Sequence, residues 1–82
     1  MNAKSLTPDE KFLLKLHQIA SQAGDPLQFI DARTVAKAVS LRETAFKTII
    51  KHLAQANFIK KGPDPMIQLT PQGCRFVEEY CK

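Results

Sequence analysis

The apolar residues of this chain recur first with a helical period, then with a strand period, and the switches between the two mark out seven short elements. Phe12, Leu13, Leu16, Ile19, Ala20 and Ala23 form a broad helical stripe, with Lys11, Lys15 and Gln18 off it. Thr7 is placed to cap the orphan amides of that helix, Pro8 suits its first position, and Glu10 stands where a capping box needs a carboxylate. Gly24-Asp25-Pro26 ends it, because glycine fits a left-handed cap and proline cannot continue a helix. Leu27-Gln28-Phe29-Ile30 is short, apolar and bounded by Pro26 and Asp31, which predicts a brief strand.

Asp31 is a good cap for a second helix from Ala32 to about Val39, with Val35, Ala36 and Val39 inward. At the turn that follows, Ala36 permits close helix approach, Val39 and Leu41 plug the corner, and Ser40 is expected to cap a third helix. That helix runs from about Arg42 to Ala56. Phe46, Ile50 and Leu53 share its buried side, and Thr44, Lys47, Thr48 and Lys51 occupy the opposite stripe. Asn57 tolerates the left-handed conformation that closes it. Phe58–Lys61 and Met66–Leu69 read as strands joined by Gly62-Pro63-Asp64-Pro65, with Ile59, Ile67 and Leu69 inward. Thr70-Pro71 then opens a last helix whose apolar side is Cys74, Phe76, Val77 and Tyr80. Residues 1–6 read as a flexible tail, and no repeat or long linker divides the rest. One domain is expected.

Charge sharpens the picture, because it is not spread evenly. Residues 32–61 carry seven Lys/Arg and one Glu, a net +6, whereas residues 1–31 and 62–82 each carry a net −1. A positive excess confined to one helix pair and the following strand marks a surface suited to polyanions.

The order helix, strand, helix, turn, helix, two-stranded hairpin, helix is that of a winged helix-turn-helix. This is a mainly α fold with a small β-hairpin, in the α+β class. Residues 32–56 would form the helix-turn-helix, 58–69 the wing and 71–80 the C-terminal helix. Val35-Ala36, Val39-Ser40-Leu41, Phe46, Ile50, Leu53 and Asn57-Phe58-Ile59 resemble the apolar skeleton of bacterial winged-helix regulators. Leu69-Thr70-Pro71-Gln72-Gly73 is similar to the LTPxG return from the wing in the MarR and PadR groups. The resemblance covers roughly residues 8–80.

It implies a DNA-binding module of a small transcriptional regulator, with the third helix in the major groove of double-stranded DNA. The groove-facing residues would be Arg42, Thr44, Lys47, Thr48 and Lys51, with backbone contacts from Arg33 and Lys37 and with Lys60 and Lys61 at the base of the wing. The residue types fit that chemistry: arginine reads guanine N7 and O6, threonine meets a base edge or thymine methyl, and lysines neutralise phosphates. Two features depart from the family pattern. The tip Gly62-Pro63-Asp64-Pro65 is acidic where DNA-reading wings often carry Arg or Lys. The extra helices through which larger regulators dimerise are also lacking, so specific binding calls for a dimer, a partner or closely spaced sites. A winged-helix adaptor that binds protein rather than DNA is the alternative.

Other classes find less support. No catalytic arrangement of Ser, His, Asp or Cys, no glycine-rich phosphate loop and no metal-ligand spacing occurs, so no enzyme, cofactor or metal is expected. His17 has no Cys or His at ligand spacing and reads as an edge residue, and His52 as a flank of the core. Cys74 and Cys81 read as packing residues, about 10 Å apart along a helix and too far for a disulfide with each other. With 44% hydrophobic and 24% charged residues and no apolar run near the ~20 needed to span a bilayer, an ordinary cytoplasmic globular protein is expected. The polar start MNAKSLTPDEK agrees, being unlike a signal peptide. Phe76, Val77, Tyr80 and Cys81 suggest weak self-association through the terminal helices.

Overall fold

A computed structural model describes residues 7–63 and 65–80, with Tyr80 described by its backbone alone. Its elements are α1 (Pro8–Gln22), β1 (Ile30–Asp31), α2 (Ala32–Ala38), α3 (Glu43–Gln55), β2 (Ile59–Lys61), β3 (Met66–Leu69) and α4 (Pro71–Tyr80). The class is α+β, with four helices and one antiparallel sheet of strand order β1-β3-β2 among the described residues. Ile30 pairs with Ile67 on one side of β3, and on the other Ile59 pairs with Leu69 and Lys61 with Ile67. The expected tail, residues 1–6, lies outside the described residues, as does the acidic tip residue Asp64.

The start of α1 follows its capping signals. The Glu10 amide donates to Thr7 Oγ1 at 3.1 Å, and the Thr7 amide donates to Glu10 Oε1 at 3.0 Å. The apolar stripe then turns inward: Phe12, Leu13, Leu16 and Ala20 are buried, Ile19 is half-buried, and Ala23 is exposed in the cap. They meet Val35, Ala36, Phe46, Ile49, Ile50, Leu53, Ile59, Ile67, Leu69 and Val77 in one core. Burying each of the larger side chains contributes roughly 1.5–3 kcal/mol against exposure.

Three helices end in the same way. After α1, α2 and α3, residues Gly24, Ser40 and Asn57 take positive φ angles of 115°, 58° and 66°. The next amide reaches back each time: Asp25 to the Ala20 carbonyl at 3.1 Å, Leu41 to Ala36 at 2.9 Å, and Phe58 to Leu53 at 3.0 Å. These are Schellman closures, which satisfy carbonyls the helix leaves open. Asn57 holds the position expected of it. Ser40 does not: it terminates α2 instead of capping α3, because its left-handed backbone completes the Ala36–Leu41 closure. Arg42 is the N-cap of α3, and its side chain makes no capping hydrogen bond.

The first strand is also displaced. Instead of residues 27–30, pairing is confined to Ile30 and Asp31. Asp25 accounts for the shift, since its Oδ1 accepts from the Leu27 amide at 2.9 Å and its carbonyl from the Gln28 amide at 3.2 Å. An Asx turn of this kind curls the segment that the apolar pattern marked as extended.

The Leu69–Gly73 return is tied to the end of α3. Thr70 Oγ1 donates to the Asn57 carbonyl at 2.6 Å and accepts from the Gly73 amide at 3.0 Å, while the Thr70 amide donates to the Phe58 carbonyl at 3.0 Å. One hydroxyl thus caps α4 and binds the close of α3. Gly73 is required by proximity, since a Cβ there would overlap the Phe58 carbonyl oxygen. Farther along α4, Val77 is buried and Phe76 stacks on Phe58 with ring centroids 5.0 Å apart. Those two residues therefore pack within the chain instead of forming an open face; the Tyr80 side chain and Cys81 lie outside the described residues. No described helix is long and apolar enough to cross a membrane.

Candidate nucleic-acid interface

Between α3 and the β2–β3 hairpin, with the first turn of α2 at one end, lies an open cleft of about 870 Å³. Its floor includes Phe46, Ile50 and Met66, which carry the core out to the surface. Its rim carries Arg33 from α2, Lys47 and Lys51 from α3, and Lys61 from β2. The helical spacing of residues 47 and 51 puts both ammoniums on one side of α3. The strand alternation that buries Ile59 brings Lys61 onto the same side of the sheet, next to α3. Four cations from three elements, far apart in sequence, therefore meet at one groove.

All nine residues expected at a DNA surface are exposed. Four line the cleft, and five do not. Lys60 falls on the other face of β2, opposite Gln68, because neighbouring strand residues alternate. Lys37 lies in the last turn of α2, where its charge suits the helix dipole. Arg42 stands at the entry to α3. Thr44 and Thr48 are on its exposed face, and the Thr48 hydroxyl donates back to the Thr44 carbonyl at 3.2 Å. That hydroxyl can still accept a hydrogen bond from outside, and its methyl remains free.

The cleft is not uniformly positive. Glu43, absent from the sequence-based set, lines it and lies 3.2 Å from Lys47, one helical turn away. Arg33 lies 3.6 Å from Asp31. Among the described residues Lys51 and Lys61 have no such carboxylate, so they are the cations most available to an incoming anion. The Glu43–Lys47 spacing of four is itself a signal in the sequence for a paired helix face.

Two other positions differ from their sequence reading. His52 is exposed instead of flanking the core, because it falls one residue off the Ile49–Leu53 stripe, and its Nδ1 lies 3.7 Å from Asp9 on α1. His17, expected to stand alone, faces Cys74 and Glu78 of α4. Cys74 is half-buried, as a packing thiol would be. Burial first, then the hydrogen bond to Glu78 and the charge of that carboxylate, raise its pKa above the ordinary thiol value. A nucleophilic cysteine needs the opposite shift.

No family model matches the chain, and no curated protein or solved structure matches it either.

Proposed function

We propose that this domain is a winged helix-turn-helix that binds double-stranded DNA, with α3 entering the major groove and the β2–β3 hairpin as its wing. The observation that carries the reading is the meeting of Arg33, Lys47, Lys51 and Lys61 around the cleft beside α3. The element order and the sheet order β1-β3-β2 agree with it, as does the net +6 of residues 32–61. Exposed Thr44 and Thr48 on α3 supply base-edge contacts, and Arg42 at its entry supplies an arginine suited to guanine. The lysines act mainly on phosphates and hold α3 in register. Such a module resembles the DNA-reading part of a MarR- or PadR-like regulator in the cytoplasm.

Binding of a mixed-sequence duplex at ~50 mM salt, followed by fluorescence anisotropy, tests the reading. Lys51→Ala should weaken binding to every duplex by a similar factor, because a phosphate contact carries no sequence preference. Lys11→Ala removes the same charge from an exposed position on α1 and should leave binding unchanged. Equal losses for the two variants, or no binding by the unsubstituted chain, would contradict it.

The adaptor reading has one observation in its favour, the apolar floor of Phe46, Ile50 and Met66 with Glu43 at its rim. Glu43→Gln separates the two. On DNA it should tighten binding, by removing a repelled carboxylate and releasing Lys47. For a protein ligand that uses Glu43, it should weaken binding.

A further inference from the structure

We propose that His17, Cys74 and Glu78 bind a zinc ion that ties α1 to α4. His17 comes from α1, and Cys74 and Glu78 stand one turn apart on α4, a spacing that puts both on one side of that helix. The three candidate ligand atoms, one nitrogen, one sulfur and one carboxylate oxygen, all lie within 4.8 Å of one another. Cys74 Sγ and Glu78 Oε2 are already 3.4 Å apart. Zinc takes sulfur at about 2.3 Å and nitrogen or oxygen at about 2.0–2.2 Å. Around one tetrahedral centre such ligand atoms sit roughly 3.4–3.6 Å from each other. A separation as long as 4.8 Å therefore has to close by roughly 1.2–1.4 Å, a movement required of side-chain rotation.

The donor set selects the metal. A thiolate with an imidazole and one carboxylate suits zinc and its neighbours among the later transition metals, whereas magnesium and calcium take oxygen. His17 and Cys74 are half-buried and Glu78 is exposed, so a route from solvent exists and the site is partly shielded once filled. Among the described residues the His17 ring has no ion pair and no side-chain hydrogen bond that a metal would have to break. On binding, a metal–sulfur bond replaces the Cys74–Glu78 hydrogen bond, and the thiol proton is released to solvent. Three protein ligands leave a fourth position for water.

The consequence is mechanical. α4 is capped by Thr70, whose hydroxyl and amide bond the close of α3 at Asn57 and Phe58, so its N-terminal end is already fixed. A metal held by Cys74, Glu78 and His17 would fasten the following turn of α4 to the first helix. The three residues lie outside the cleft between α3 and the hairpin, so this role is separate from the proposed DNA binding.

The test uses the full chain carrying Cys81→Ser, so that Cys74 is the one thiol present, with Co²⁺ as spectroscopic probe and Zn²⁺ as competitor. Cobalt should bind one to one, show a thiolate-to-cobalt charge-transfer band, and be displaced by zinc. Cys74→Ser should abolish the band. His17→Gln and Glu78→Gln should each weaken affinity at least about tenfold, the lower end of what altering a metal's surroundings usually does. Zinc at a hundredfold excess over its Kd should raise the folded-to-unfolded ratio about a hundredfold in the parent and not in Cys74→Ser. Glu78 is exposed, so Glu78→Gln should fold normally and decides the matter if Cys74→Ser does not. A missing thiolate band, or cobalt affinity unchanged in both His17→Gln and Glu78→Gln, would each overturn the proposal.

Discussion

Glycine in the interior of a helix is usually a weakness, and replacing it by alanine stabilises a helix by about 1 kcal/mol. Gly73, in the first turn of α4, should do the reverse. An alanine Cβ there would meet the Phe58 carbonyl oxygen, with the Phe58 carbonyl carbon and Cα close behind. These are backbone atoms, and they cannot swing aside as a side-chain end would. The same carbonyl accepts from the Thr70 amide at 3.0 Å, so moving it strains the bond that closes α3 onto α4. Overpacking of this kind costs about 1–3 kcal/mol, and a weakened backbone hydrogen bond adds about 1 kcal/mol. Set against the propensity gain, the net loss should be roughly 1–3 kcal/mol. In urea, where a small domain unfolds with a slope near ~1 kcal/mol/M, the midpoint should fall by roughly 1–3 M with the slope unchanged. Gln72→Ala, one residue away and exposed, removes only a 3.4 Å hydrogen bond to the Ala56 carbonyl and should cost under ~0.5 kcal/mol. A midpoint for Gly73→Ala equal to or above that of the unsubstituted chain would refute the close approach of α4 to Phe58.

Two further predictions concern α2, α3 and the turns that close them. Leu53, 5% exposed, should cost about 2–5 kcal/mol as Leu53→Ala, whereas exposed Thr48→Ala should change stability by no more than ~0.5 kcal/mol; equal losses in urea melts would contradict the assignment of the two faces of α3. Ser40→Gly should stabilise by about 0.5–1 kcal/mol, because glycine removes a left-handed penalty of about 1–2 kcal/mol at φ 58° while adding unfolded-state entropy. Asn57→Gly should gain less, since asparagine already tolerates that conformation, and a loss on Ser40→Gly would count against the closure described for α2.

Much of the fold is legible in the chain because it is written in periods and caps. Apart from Ala23, the apolar stripe of α1 follows from local rules, as do the burial of Ile59, Ile67 and Leu69, the Thr7–Glu10 box and the left-handed Asn57. The misreadings arise where one residue type serves two ends. Serine is a common N-cap, and nothing local says that Ser40 is needed instead to let Leu41 reach the Ala36 carbonyl. Asp25 likewise reads as part of a helix stop, yet its side chain also turns Leu27 and Gln28 away from the sheet. The candidate surface is legible as an exposed basic stripe, and alternation already separates Lys60 from Lys61. Its assembly into a cleft is not, because that depends on how α2, α3 and the hairpin pack. The same limit applies to His17, whose partners on α4 come from 57 and 61 positions further along and are found only by folding.

Lys60 and Lys61 distinguish a DNA backbone held in the cleft beside α3, as proposed, from one attracted by net charge alone. They are neighbours of equal charge, both exposed, and only Lys61 lines the cleft. The measurement is duplex affinity as a function of salt for the unsubstituted chain, Lys60→Ala and Lys61→Ala. Each phosphate neutralised contributes about −0.9 to the slope of log affinity against log salt. Lys61→Ala should flatten that slope by about one unit and weaken binding to every sequence alike, while Lys60→Ala should leave the slope where it was. Equal changes from the two substitutions would mean that net charge, and not the cleft, attracts the DNA.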